Sequence, residues 1–247
     1  MLLRASSSLF RVLLGLIPLA FVPLTVAIDI KPYNANYSAK FNGMDIEANH
    51  RLEQLESGQY RETLKAKNIF GKINEQALFS LSDEQQLIPL EYKYERSLMG
   101  VKRAEQQLFD WTSQQLQYSK KDQLKLVPLE PGALDIITHK LQLRSDLSSG
   151  QDSFSYQVMS RGKLKQYNYK VMAREVLDTA IGPLNTVLVQ RIREDNNRTT
   201  RIWLASDWDY LAVQLEQVEN GDSHEMKIID AQVDDQPVVP LKFAAEK

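Results

Sequence analysis

Asp135 and His139 are the first residues in this chain whose types and spacing suggest chemistry. They stand four apart in ALDIITHKLQLRSDL, so on a helix they share a face and could form an orienting carboxylate–imidazole pair. A hydrolase would add a nucleophile, and no G-x-S-x-G elbow is present, so a serine or threonine would have to be brought near by folding. The plainer reading is a surface pair worth about 0.3 kcal/mol. A second group, Arg191, Arg193, Arg198 and Arg201, flanks one expected hairpin together with Glu194 and Asp195. If Arg191 and Arg193 face Thr200 or Arg201 across the ladder, they form a basic strip able to hold an anionic headgroup. The alternative is a solvated face of cross-strand charge pairs. Trp203 and Tyr210 belong to a third group with Tyr92, Tyr94, Trp111, Tyr118, Tyr156, Tyr167, Tyr169 and Trp208. Such aromatics line cavities for lipid or glycan, and they also simply fill strand cores. Arg191, Arg193, Trp203 and Tyr210 are therefore the ligand-binding candidates. His224-Glu225 beside Asp222 reads as hairpin-turn polarity. With no H-E-x-x-H and no cysteine, neither a metal site nor a cofactor is expected.

The elements that must position these residues are mostly strands. From Ile181 to Glu219 three runs, Thr186–Arg193, Thr199–Leu204 and Tyr210–Val218, predict an antiparallel meander, with Asp195-Asn196-Asn197 reversing the chain. Ile202 and Leu204 should share one face and Trp203 the other, while Leu211, Val213 and Leu215 point inward. Near the start, Tyr33, Ala35, Tyr37, Ala39 and Phe41 alternate with polar residues, then Asn42-Gly43 supplies the strongest short hairpin signal. Further runs, among them Tyr60–Lys67, Ile73–Leu81, Leu90–Glu95 and Arg103–Trp111, recur between turn signals as a barrel or sandwich requires. The pattern changes at Pro131-Gly132. Ala133–Leu147 carries Leu134, Ile137 and Leu141 at helical spacing and predicts one amphipathic helix, to be buried against a sheet or in a barrel end.

The first 27 residues read as a secretory leader. Arg4 and Arg11 precede an apolar run, and Thr25-Val26-Ala27 offers a cleavage site after Ala27. Pro18 and Pro23 interrupt that run, and no later stretch is long and apolar enough for a stable membrane span. Removing the leader takes the formal charge from −2 to −4, a weakly acidic balance of mixed signs that argues against nucleic acid as a partner. The absence of cysteine excludes a lipid-anchored lipoprotein and a disulfide framework. A leader without cysteines suits the bacterial periplasm.

The hairpin YNANYSAKFNG, the helix ALDIITHKLQLRSDL, the block EVLDTAIGPLNTVLVQRIRED and the segment RIWLASDWDYLAVQLEQ occur in that order. As an ordered set they resemble the domain-of-unknown-function family 3108 (DUF3108) of exported Gram-negative proteins, from about Ile30 to Asp230. The resemblance implies a β-rich exported domain and no established reaction. The expectation is thus a signal peptide over 1–27, one all-β, mainly antiparallel domain over 28–233, barrel-like or sandwich-like, and a tail over 234–247 without clear period. Two functions are compatible with it. One is a non-catalytic envelope binding or accessory protein for a hydrophobic or amphiphilic ligand, with a lipid, glycan or envelope protein as partner. The other is an envelope hydrolase using Asp135 and His139. A purely structural role in an envelope complex remains beside the first.

Overall fold

The computed structural model describes residues 29–41, 44–121, 123–194 and 197–240. The expected leader, the Asn42-Gly43 turn, Asp195-Asn196 and residues 241–247 lie outside them. Within them the chain forms β1 (Tyr33–Phe41), β2 (Met44–Gln54), β3 (Tyr60–Asn68), β4 (Gly71–Leu81), β5 (Leu87–Leu98), β6 (Val101–Asp110), β7 (Gln115–Lys120) and β8 (Gln123–Pro128). A helix α1 (Thr138–Asp146) follows, then β9 (Ser153–Ser160), β10 (Lys163–Thr179), β11 (Gly182–Ile192), β12 (Arg198–Ala205), β13 (Leu211–Glu219), β14 (Asp222–Val233) and the short β15 (Gln236–Pro237).

All strands belong to one antiparallel sheet, ordered β8-β7-β6-β5-β4-β3-β2-β1-β14-β13-β12-β11-β10-β9, with β15 added to β14. Every neighbour on that path is also the next strand in sequence, except where β1 pairs with β14. The sheet is not closed, because β8 and β9 are its two edges. Register shifts at Asn36/Tyr37, Leu78/Phe79, Val171/Ala173 and Trp203/Leu204 bend its strands, as bulges do. The bending brings the arms together without pairing them: Gln107 Nε2 on β6 lies 3.5 Å from the Met159 carbonyl on β9. Gly162, just past β9, sits against the Tyr118 ring of β7, where a Cβ would come within 2.6 Å of Cδ1.

Alternation fills the interior. Tyr33, Ala35 and Tyr37 are buried on β1 while Asn34 and Ser38 are exposed, and Ala77 and Phe79 repeat the pattern on β4. Removing a Phe79-sized side chain from water contributes roughly 2–3 kcal/mol. In the meander Ile202 and Leu204 are buried with Trp203 on the opposite phase, and Leu211 and Val213 point inward while Leu215 is half-buried.

Two expectations need correction. The helix runs over Thr138–Asp146 rather than Ala133–Leu147. Its upstream portion is held extended, since Leu134 bridges Val158 of β9, its N–H bonding the Gln157 carbonyl and its own carbonyl the Met159 N–H. Within the helix Thr138, His139, Leu141, Leu143 and Arg144 are buried, while Lys140, Gln142, Ser145 and Asp146 are only half-buried. The tail from 234 to 240 is ordered, because β15 pairs with Gln232–Val233 and the Val238 N–H donates to the Ala231 carbonyl.

Candidate functional site

Three places in this fold concentrate polar groups. The first surrounds the start of α1. Asp135 is fully buried, and its Oδ1 accepts from the N–H groups of Ile137 (2.6 Å) and Thr138 (2.9 Å), while Thr138 Oγ1 accepts from the Asp135 N–H. This is a helix cap, satisfying donors that the first turn leaves free. Oδ2 has no partner, and burial pushes the carboxyl up to about 7 against the hydrogen bonds from Thr138 and Ile137. His139 is also buried. Its Nδ1 lies 3.0 Å from the Asp135 carbonyl and its Nε2 lies 2.9 Å from the Tyr169 hydroxyl. A carbonyl only accepts, so Nδ1 carries the proton and Nε2 accepts from Tyr169. Burial drives the imidazole down to about 3, so it is neutral. Tyr167 meets the ring edge-on at 5.1 Å, and Tyr169 stacks on it at 5.9 Å.

The surface pair expected of Asp135 and His139 is thus overturned: both are interior. The carboxylate–imidazole pairing is overturned as well, since His139 meets the backbone of Asp135 and not its carboxylate. The hydroxyl that His139 meets is the Tyr169 phenol, 2.9 Å from Nε2 inside the core.

Arg191 belongs to this nest. It lies across the ladder from Tyr169 and Thr200, with its guanidinium 3.3 Å from the Tyr167 ring centroid. Arg193 donates to the Arg198 carbonyl and to Thr200 Oγ1. The expected basic strip is divided between faces. Arg201 falls on the opposite phase, against Gln190 and 3.0 Å from Glu216. Trp203 lies away from the nest and donates from Nε1 to Glu175 (2.7 Å). Tyr210, at φ +52, reaches the Leu147 carbonyl at 3.3 Å and ties the turn after β12 to the helix end. The structure therefore gathers Asp135, His139 and Arg191 around Tyr167 and Tyr169, and leaves Trp203 and Tyr210 elsewhere.

A second nest escaped the sequence. Glu62 on β3, 1% exposed, has its Oε1 2.6 Å from His50 Nε2 on β2 and accepts a 2.7 Å hydrogen bond from the Tyr33 hydroxyl. Arg144 of α1 stacks its guanidinium 4.8 Å from the Tyr33 centroid and bonds Asp209 through its carbonyl and carboxylate. Burial pushes the Glu62 carboxyl up, but His50, Tyr33 and Arg144 together hold it below the ordinary range. The signal was present: His50 alternates with Ala48 and Leu52, and Glu62 with Tyr60 and Leu64, so both charges stand in the apolar phase of their strands.

The third place is an open hollow of about 1010 Å³ over β1 to β6. Its lining includes Asn36, Asn49, Lys65, Asn74 and Glu95, successive partners in one cross-strand row, and Glu47, Lys67, Lys72, Ser97 and Lys102 in the next. Both rows stand on the phase opposite to Ala35, Tyr37, Ala77 and Phe79, so this hollow lies on the polar face of the sheet. On that phase four basic side chains, Lys65, Lys67, Lys72 and Lys102, face three acidic ones, Glu47, Glu95 and Asp230, with Lys67 already 3.2 Å from Glu47. Asn74 Oδ1 and Arg96 Nε are shielded from solvent and have no partner. The aromatic-lined cavity expected for a ligand has a different fate: Tyr33, Tyr37, Tyr92, Tyr167 and Tyr169 are buried among other side chains. Among the described residues no group of three or more His, Cys, Asp or Glu could hold a metal ion, and no helix is long and apolar enough to cross a membrane.

One bent antiparallel sheet, wrapped around a short helix and left open along one seam, makes this an all-β, barrel-like protein. The chain belongs to the DUF3108 family of proteins of unknown function, whose model matches residues 36–228. Among solved structures it is similar to a β-barrel-like protein of domain of unknown function DUF1849 from Brucella abortus, with a TM-score of 0.58 at 9% identity, covering 84% of this chain and 99% of that one. At that identity the likeness is one of fold. The MucA/MucB complex of Pseudomonas aeruginosa also matches, with a TM-score of 0.36 at 11% identity over 84% of this chain and 53% of that one. No match is found among curated proteins.

Proposed function

We propose that this protein is exported to the periplasm and acts there without catalysis, binding an amphiphile whose head is anionic. The observation that carries the reading is the polar hollow. Lys65, Lys67, Lys72 and Lys102 converge on it from β3, β4 and β6, and Asn74 Oδ1, on the same phase, is left unbonded. An unpaired polar group shielded from water is costly unless something bonds it, and a headgroup with a donor for Asn74 and anionic acceptors for the lysines answers both needs. The leader over residues 1–27 supports export, with a mature chain beginning Ile28-Asp29-Ile30.

Native mass spectrometry of protein isolated from its own envelope tests both parts. The expected result is a chain starting at Ile28 that carries an anionic amphiphile, and a Lys65→Glu/Lys72→Glu variant that folds but arrives empty. A wild-type chain that carries no adduct and takes up no phosphatidylglycerol when offered it overturns the binding reading. An intact Met1 in the membrane fraction overturns export.

A further inference from the structure

The β3–β4 and β5–β6 hairpins end side by side. Gly71 opposes Leu98 across β4 and β5, and the Met99 N–H donates to the Phe70 carbonyl at 2.9 Å. Gly71 permits this approach, since a Cβ there would lie 2.3 Å from the Ser97 carbonyl oxygen. The joined tip presents Ile69, Phe70, Leu98, Met99 and Val101, with Ile69 91%, Met99 76% and Val101 59% exposed. Three other tight turns of the same sheet, Arg161-Gly162, Asn220-Gly221 and Asp234-Asp235, carry polar residues or glycine, and the Ala180-Ile181 turn is apolar but carries no second hairpin tip beside it.

Met99 adopts φ +49 and Gly100 φ +79, the paired left-handed conformation of a two-residue hairpin turn that asparagine or glycine occupies readily. A long unbranched side chain there is held against its backbone preference while making little use of the core. The charge around the tip is as uneven as its polarity. Residues 65–74 hold Lys65, Lys67 and Lys72 and no acid, and residues 95–104 hold Arg96, Lys102 and Arg103 against Glu95, in a chain whose net charge is −2.

We infer that this double hairpin tip docks the protein on an anionic lipid bilayer. Ile69, Phe70, Met99 and Val101 enter the interfacial layer, and the cations behind them meet the lipid phosphates. Apolar side chains at the point of contact and a basic collar one step back is the order of layers that such an interface presents. A protein partner's apolar pocket would match the tip but would leave the collar unexplained. The collar cations also border the hollow, but Ile69, Phe70, Leu98, Met99 and Val101 take no part in its lining, so substitutions at the tip test this surface separately.

The test is cosedimentation of the exported protein with vesicles of phosphatidylethanolamine and phosphatidylglycerol, and with vesicles of phosphatidylcholine alone. The N-terminus is checked first by mass spectrometry, so that the leader contributes no binding. Wild type should bind the anionic vesicles and lose binding at high salt. Ile69→Ser combined with Met99→Asn should weaken binding ~10-fold or more while melting no earlier than wild type, since asparagine suits φ +49. Val101→Ser should weaken it less, without touching either turn. Absence of wild-type binding, equal binding to phosphatidylcholine, or full binding by the double variant overturns the inference. So does a wild-type dimer in sedimentation that the double variant abolishes, which would assign the tip to a second copy. Lost vesicle binding with a retained amphiphile in native mass spectra separates this surface from the hollow.

Discussion

Asp135→Asn should change how stability depends on pH, and in a direction fixed by the burial of two groups. In the folded chain the Asp135 carboxyl titrates at about 7 against an ordinary 3.8. Between those values the folded state holds a proton that the unfolded state has released, so this group makes stability fall as pH rises. His139 does the reverse, titrating at about 3 against 6.5, so between those values the unfolded state holds the extra proton and stability rises with pH. Each contributes about 1.4 kcal/mol per pH unit in its window, with opposite sign. From about pH 4 to 6.5 the two slopes cancel in wild type. Asparagine keeps the Oδ1 acceptor for the Ile137 and Thr138 N–H groups and cannot ionise, so the variant exposes the His139 slope alone. Relative to wild type it should gain about 2 kcal/mol between pH 5 and pH 6.5. His139→Gln should lose about as much over the same interval, whatever constant offset its lost bond to Tyr169 adds. Urea melts at the two pH values, extrapolated to water, read both differences. A pH-independent difference between Asp135→Asn and wild type would refute the argument, because it would mean that the carboxyl is ionised throughout.

Other substitutions check the packing. Leu211→Ala should cost about 2–5 kcal/mol in urea melts through lost burial and a cavity, while Gln214→Ala, next to Val213 and so on the other phase, should cost about 0.5 kcal/mol or less. Arg144→Ala should cost about 3 kcal/mol because it strips Asp209 and Tyr33 of a buried cation. Arg198→Ala, which breaks a half-exposed pair with Glu219, should cost less than about 1 kcal/mol. Gly162→Ala should destabilise by about 1–3 kcal/mol, as φ +65 and the Tyr118 ring both oppose a Cβ; a neutral result would show that the arms do not touch there.

Strand phase was the part of this fold legible from sequence. Tyr33, Ala35 and Tyr37, or Ile202 and Leu204, announce their faces because alternation is a local property. The helix was placed too early because Leu134, Asp135 and Ile137 also fit helical spacing, and nothing local reveals that Val158 will claim Leu134 as a bridge partner. The burial of Asp135 and His139 was hidden for a related reason. An interior that can seat a carboxyl and an imidazole exists only once β9 and β10 have folded around α1. The hollow was harder still, since Lys65, Lys72 and Lys102 are ordinary solvent-phase residues on separate strands until the register aligns them. Ile69-Phe70 is a signal that lies in the sequence itself, since two large apolar residues ahead of Gly71 in a turn break the usual composition.

The pairing of β1 with β14 sets the order in which this molecule can assemble. All other neighbours in the main sheet are consecutive in sequence, so the β1-to-β8 and β9-to-β14 runs can zip up as local hairpins with little loop entropy to overcome. The partner of Ala35 is Ala231, nearly two hundred residues downstream, and no amount of local folding brings it sooner. The first strand must therefore wait for almost the last, and a chain leaving its ribosome or a membrane pore stays two unjoined halves until its end is free. Ala35→Gly should then speed unfolding and leave the refolding rate nearly unchanged in stopped-flow traces, whereas equal slowing of refolding would place that seam in the nucleus. A sheet fastened through β1 and β14 joins its two arms only when both strands are present, so a copy cut short before β14 leaves β1 as an open edge.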